Sequence, residues 1–419
     1  MKSKIFAITV ILFIFLPVTF VAIREIMARR AERKKVPHVK EAMKPFSCRV
    51  KVRDSSVSGY ILIAPYELYK WRQGKIAIVD MEGRIHAEKN VTGTVYDFRQ
   101  WNIDGKIYYT YLRNDSNTFH IRKISLTAGH AVLLDEMLNE VKHIHLLPHD
   151  DITTTGNKGL DLHDIILFTP DHYITIAAYE KGIGNIPDSL HPTPFVKVAA
   201  PIIQEVRHDS VIWQWDATRF PELYSCGDLY NNYRDEKITK DYLHINSCSL
   251  DPADSNLVVS FRSANMVVKV SRKDGSIIWK LGGRHSDFAL NDNQKFLRQH
   301  HARLGVAGRK LLLIDNGDSV LRQTSRVLEF SLDEQKKKIT SFKAWNIPEP
   351  YSQYMGSVSM AGNNYFIGGG TSEYVLLADP ATGKKLFELE TSHPSYRAYL
   401  VHDIYGLKNG NNYTSSSTR

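Results

Sequence analysis

The sequence predicts an all-β chain organised as a β-propeller, on three observations. Twenty-one Tyr, 17 Phe and 6 Trp, with many Val and Ile, favour pleated, half-buried surfaces. Short alternating apolar runs recur along the chain, separated by turns rich in Asp, Asn and Gly. One unit, an apolar strand, an Asp/Gly turn and a second strand, repeats in IAIVDMEGRIHA, VVKVSRKDGSIIWKL and LLADPATGKKLFEL, and no helical periodicity of comparable strength competes with it. At 419 residues the chain is within reach of one large domain of repeated units; a large β-sandwich or β-helix is the alternative architecture. In a propeller the inner strands converge on one axis, so residues far apart in sequence meet there.

Taken in order, residues 5–23 form an uncharged apolar stretch long enough to cross a bilayer, preceded by Lys2 and Lys4. No small-x-small cleavage site follows, so residues 1–24 read as an uncleaved signal anchor and transmembrane helix. Residues 25–58 read as a basic, Pro-punctuated linker and lead-in. Propeller patterning spans 59–407, from GYILIAP through TVYDFRQWNIDGKIYYTYL, LHDIILFTPDHYITIAAYEK and HINSCSLDPADSNLVVSF to YRAYLV. Residues 408–419 are a polar tail.

The formal charge of +9 invites anionic partners, yet much of the excess lies at Arg24, Arg29, Arg30, Arg33, Lys34, Lys35, Lys40 and Lys44, the flank of a membrane segment. No helix-turn-helix, zinc-knuckle or RNA-binding signature points to nucleic acid, and no Gly-rich motif points to a nucleotide. Three cysteines make neither a disulfide framework nor a metal site; a single Cys226–Cys248 bridge and three free thiols both remain open, with Cys48 unpaired either way. His143, His145 and His149 in KHIHLLPHD have H-x-H spacing, which alternation along a strand explains as well as a metal does. DPADSN and NDNQ have calcium-ligand composition but read as turns. No cofactor is expected.

The most informative stretch runs from Asp241 to Arg326. His244, His300 and Arg326 stand at the mouths of successive strands there, each followed by an apolar run. Arg presents a fork of donors and His gives or takes a proton, so the set suits chemistry on an oxyanion.

The ordered motifs DYLHINSCSL, SFRSANMVVKV, GSIIWKLGGRHSDF, QHHARL, IDNGD, SRVLEFSLD and YRAYL resemble the arylsulfate sulfotransferase family, over about Gly59 to Leu400. The resemblance implies a six-bladed propeller with its site at one end of the channel. It implies sulfuryl transfer from a phenolic sulfate donor to a phenol acceptor without a nucleotide, and an exported, periplasmic domain. Positive-inside counting of the cluster from Arg29 to Lys35 opposes export, while the short basic start and the resemblance favour it. His244 in HINS and His300 in QHHAR match family channel histidines, and His301 is expected on the opposite face of its strand. The family arginine after the DNG motif falls at Arg326 or Arg322. Arg262, His163 and Asn246 are the substrate-binding candidates.

The implied chemistry is attack of a neutral imidazole on sulfur, with arginine holding the sulfuryl oxygens and a second histidine serving the leaving and entering phenols. The resemblance places the sulfate-carrying histidine after the DNG and arginine region, where YMGSVSM has none; only His393 and His402 follow. Another histidine as nucleophile, direct transfer and loss of activity all satisfy that departure. Two other functions stand beside the transferase: a non-catalytic propeller binding an anionic or aromatic ligand or a protein partner, and a different channel enzyme such as a quinone-dependent dehydrogenase or a lyase.

Overall fold

The computed structural model describes residues 44–67, 73–114, 128–153, 159–229, 231–305 and 310–404, in which six antiparallel sheets form a six-bladed propeller. The expected membrane helix over 1–24, most of the linker and the polar tail lie outside the described residues. Among the described residues no helix is long and apolar enough to cross a membrane.

Blade 1 takes Tyr60–Pro65, Gln73–Asp80 and Ile85–Thr92 from the start of the domain, and its innermost strand, Ser395–Val401, from the end. The pairing runs Tyr60↔Val401 to Ile63↔Ala398 and on to Pro65↔Ser395, joining the two ends of the ring. Blades 2 to 5 are sequential. Their innermost strands are Val95–Ile103, Ile165–Thr169, Ile245–Leu250 and His300–Leu304. Blade 6 begins on Ser357–Ala361 and gains a fifth, outer strand, Cys48–Arg53, paired with Lys385–Thr391. The lead-in before Gly59 therefore contributes to the propeller, as a sheet edge. Its CRVKVR sequence alternates exposed and half-buried positions, as an outermost strand requires.

The three repeated hairpins each connect the third and fourth strands of a blade, in blades 1, 4 and 6. The turn chemistry is local. Asp80 Oδ1 accepts from the backbone N–H groups of Glu82 and Arg84, both at 2.9 Å, and Gly83 takes φ 81°, where a Cβ is strained. Asp379 Oδ1 likewise accepts from Ala381 N–H at 2.8 Å.

Apolar faces of neighbouring blades pack against each other. Leu62, Ile76 and Ile78 of blade 1 join Phe98, Tyr109 and Tyr111 of blade 2, all buried. Cys48, Cys226 and Cys248 are free thiols. The acidic DPADSN turn meets Glu334, but the buried Lys269 ammonium stands among these carboxylates, 2.7 Å from Asp254, 2.8 Å from Glu334 and bonded to Asp251. Asp292–Gln294 is a 3₁₀ turn with a capping box between Asn291 and Gln294. His143 and His145 pack on the ring of His130, with centroids 4.8 and 4.9 Å away.

Candidate active site

Three histidines from three blades meet at the start of their inner strands. The His163 ring centroid lies 5.4 Å from His244 and 6.2 Å from His300, and Tyr396 of blade 1 stands edge-on to His163 at 5.7 Å. His163 and Asp164 lead into the inner strand of blade 3, His244 immediately precedes that of blade 4, and His300 opens that of blade 5. The backbone bends to deliver them. His244 has φ 56°, His301 has φ 54°, and the blade 5 pairing shifts register between His300 and Arg303.

Each imidazole has one nitrogen fixed. His244 Nδ1–H donates to Asp241 Oδ2 at 2.5 Å. His163 Nδ1–H donates to Asp161, whose Oδ1 also accepts the His163 backbone N–H at 2.9 Å. Both carboxylates are buried, so each holds Nδ1–H and the orientation of its ring, with Nε2 turned away. His300 is held by neutral groups. Its Nδ1–H donates to Asn316 Oδ1 at 2.6 Å and approaches Arg298 O at 3.0 Å. Asn316 Nδ2 donates to Ser352 O and Met355 O at 2.9 and 3.0 Å, which points the amide oxygen at the imidazole. Nε2 is then the acceptor nitrogen, reached by Met355 N–H at 3.3 Å. Burial, then the Arg262 charge, then His163, push the His300 pKa well below its ordinary value. His300 is therefore a neutral imidazole with its lone pair on Nε2.

Arg262 opens the 3₁₀ turn after Leu257–Phe261, and its N–H donates to His244 O at 2.9 Å. It brings positive charge to the histidines. Arg322 and Arg326, the arginines first expected there, direct their charge to a carboxylate of the fold. Both stand on buried Asp315, with Arg322 at 2.5 Å to either oxygen and Arg326 Nε and Nη2 at 2.9 and 2.7 Å. Arg326 gives its remaining donors to Asn293 and Lys295 O, and Arg322 gives Nη1 to Thr324 O. These hydrogen bonds engage every nitrogen of the Arg326 fork within the fold. The pair lines a cavity of about 370 Å³ with Lys295, Leu297 and Leu321. Asn246 is also structural in its contacts: Nδ2 donates to Gln299 O at 2.6 Å, joining blades 4 and 5.

His301 points away from His300, with Nδ1 3.0 Å from Val358 O. Blade 6 brings no histidine to the cluster; at the corresponding place it brings the Met355 N–H that faces His300. His393 packs near Glu67 and Phe46, and His402 is exposed. Sequence reasoning missed Asp161, Asp241 and Asn316. The spacings D-x-H in DLH, D-x-x-H in DYLH, and the Asn of DNG were the available signals.

Fold and site together define a class: a six-bladed propeller with histidines from three blades gathered at the starts of their inner strands. The chain matches the family described as Arylsulfotransferase (ASST) over residues 67–397, and it belongs to that family. No curated protein matches it. Among solved structures it is similar to a protein of unknown function from Bacteroides caccae (10% identity, 83% of this chain and 100% of that one, TM-score 0.47). It is also similar to a periplasmic gluconolactonase from Pseudomonas aeruginosa (12% identity, 82% and 99%, TM-score 0.42). Likenesses at these scores carry no argument about function.

Proposed function

We propose that the protein transfers a sulfuryl group from a phenolic sulfate ester to a phenol, with His300 as the nucleophile. The observation that carries this reading is the convergence of His163, His244 and His300, with His300 neutral and the other two backed by carboxylates. In the first half-reaction His300 Nε2 gives up the Met355 N–H and attacks sulfur, and the S–O bond to the aryl oxygen breaks. The phenolate leaves with the Nε2 proton of a carboxylate-backed imidazolium, His244 or His163, which becomes the neutral Nδ1–H imidazole. In the second, the same imidazole takes the acceptor phenol's proton as its oxygen displaces His300 from sulfur. Arg262 supports the sulfuryl oxygens while charge redistributes. On this reading the histidine absent from YMGSVSM is not required, because blades 3, 4 and 5 supply three.

The test is phenolate release from a chromogenic aryl sulfate, with and without a phenol acceptor, together with intact-mass measurement after donor alone. Acceptor-dependent release and one added sulfuryl group, both lost in His300→Ala, support the reading. Binding of aryl sulfates by folded protein without release under any acceptor would make this a ligand-binding propeller instead. The proposal also includes an exported domain on a membrane anchor at residues 1–24. Its support is the apolar run 5–23 and the family's usual location, and protease accessibility in intact cells and spheroplasts tests it.

A further inference from the structure

One step further along the inner strands, a second cluster closes the axis, and the proposed chemistry does not use it. Asp164 follows His163, His301 follows His300 and Arg397 follows Tyr396. Arg397, fully buried, donates to Asp97 at 2.8 Å and lies 3.5 Å from Asp164. Arg303 donates to Asp164 at 2.6 Å, and Arg99 donates to it at 3.2 Å. Arg99 and Arg397 also converge on the Tyr399 hydroxyl, at 2.8 and 3.4 Å, and that hydroxyl donates to Asp97 at 2.5 Å.

The charges do not balance: among the described residues, Arg99, Arg303 and Arg397 face the carboxylates of Asp97 and Asp164 alone. Burial would protonate Asp164, but Arg303, Arg397 and Arg99 outweigh it and hold the carboxyl below its ordinary value. Burial raises the Tyr399 pKa and lowers that of His301, so both are neutral. One positive charge is left over in a region where an uncompensated ion is strongly unfavourable. Two donors are left over as well: the buried Nε–H groups of Arg99 and Arg397 have no hydrogen-bond partner. Three acceptors nearby also lack a partner: Asp97 Oδ2, 3.8 Å from Arg99 and already counted in the balance, and the uncharged Asn246 Oδ1 and His301 Nε2, which leave the charge as it is.

We infer that this axial cluster binds one small monovalent anion of halide type on the Nε–H groups of Arg99 and Arg397. A water molecule could meet the donors but would leave the charge, and a sulfate dianion would overshoot to net negative. Arg99 and Arg303 keep 14% and 21% side-chain exposure while Arg397 has none, so the ion enters past the first two. This site is separate from the histidines and stands whether or not the protein transfers sulfate.

The test uses the full chain at constant ionic strength, with gluconate exchanged for bromide. Tm is expected to rise and saturate with bromide. Arg303→Gln leaves two guanidiniums on two carboxylates and should lose that response while remaining folded without halide. Bromide anomalous scattering from wild-type crystals should peak beside Arg99 and Arg397, which decides the matter even if the variant does not fold. A Tm indifferent to the exchange, a full response in folded Arg303→Gln, or bromide peaks only at the surface (an adventitious ion only) would each overturn the site.

Discussion

At Asp241 a buried carboxylate takes one imidazole nitrogen of His244 and leaves the other free; at Asp315 a buried carboxylate takes donors from two arginines, and the remaining donors of Arg326 end on neighbouring protein oxygens. Both places looked alike as sequence: a basic residue at a strand mouth near an Asp. They differ in what is left over. A basic side chain with one uncommitted nitrogen, held rigid by the other, can do chemistry on a ligand. One whose donors all end on protein ties loops together. His300 differs from Arg326 in degree: Asn316 pins Nδ1 and a single backbone donor, Met355 N–H, reaches Nε2 at 3.3 Å, whereas Arg326 is held at every nitrogen.

The sharpest way to break this contrast is to remove its two poles. His300→Ala should lower acceptor-dependent transfer roughly 10⁴-fold or more, as loss of a covalent nucleophile does. Arg326→Ala should instead cost about 2–3 kcal/mol of unfolding free energy, because it removes one of the two arginines on buried Asp315 and empties the oxygens of Asn293 and Lys295. The transfer rate per folded molecule should stay unchanged. Urea unfolding and the chromogenic assay on the same samples separate these outcomes. A rate defect in folded Arg326→Ala as deep as that of His300→Ala would return the arginine to the site and end the contrast.

Smaller effects sharpen it. Asp241→Asn keeps an acceptor for His244 Nδ1–H but removes the charge that stabilises the imidazolium. A fall of roughly 10²-fold in kcat with little change in KM is expected, the size of a general acid–base contribution. Asn316→Ala removes the side-chain acceptor of His300 Nδ1–H, leaving Arg298 O beside it, along with two donors to Ser352 O and Met355 O; a loss of roughly tenfold in transfer per folded molecule follows from the weaker hold on the tautomer. If Asn316→Ala proved as damaging as His300→Ala, Asn316 would be acting on substrate directly.

How much of this was legible follows from the range over which each signal acts. The propeller class and its third-to-fourth-strand hairpins rest on local alternation and turn residues such as Asp80 and Gly83, which are written in consecutive positions. The outer strand Cys48–Arg53 was not, because its partner lies at Lys385–Thr391, more than 330 residues away. His163, His244 and His300 were legible as residue types at strand starts, and the structure brings all three together. Arg262 was ranked below Arg326 because strand alternation cannot say which basic residue faces the axis. That choice is made by the bulge after His300 and the left-handed backbone at His244, and by Asp315 drawing both later arginines to itself.

The smallest prediction concerns pH. His300 and His301 are both buried, and burial first, then nearby arginines, hold each pKa well below its ordinary value. The unfolded chain binds protons at these residues near pH 6.5 while the native state refuses them. Below that pH the unfolded state therefore carries more protons, so stability falls as pH falls, by about 1.4 kcal/mol per pH unit for each histidine until its folded pKa is reached. The contribution is fully present above the unfolded value. Urea unfolding at several pH values between about 7 and 5 should show this slope, and His301→Gln should remove one histidine's share of it. Transfer should not decline over the same interval through His300, because the imidazole that would attack sulfur stays neutral there. A pH slope identical in wild type, His300→Gln and His301→Gln would show that neither ring is kept uncharged by the fold, and the case for His300 as a neutral nucleophile would fall with it.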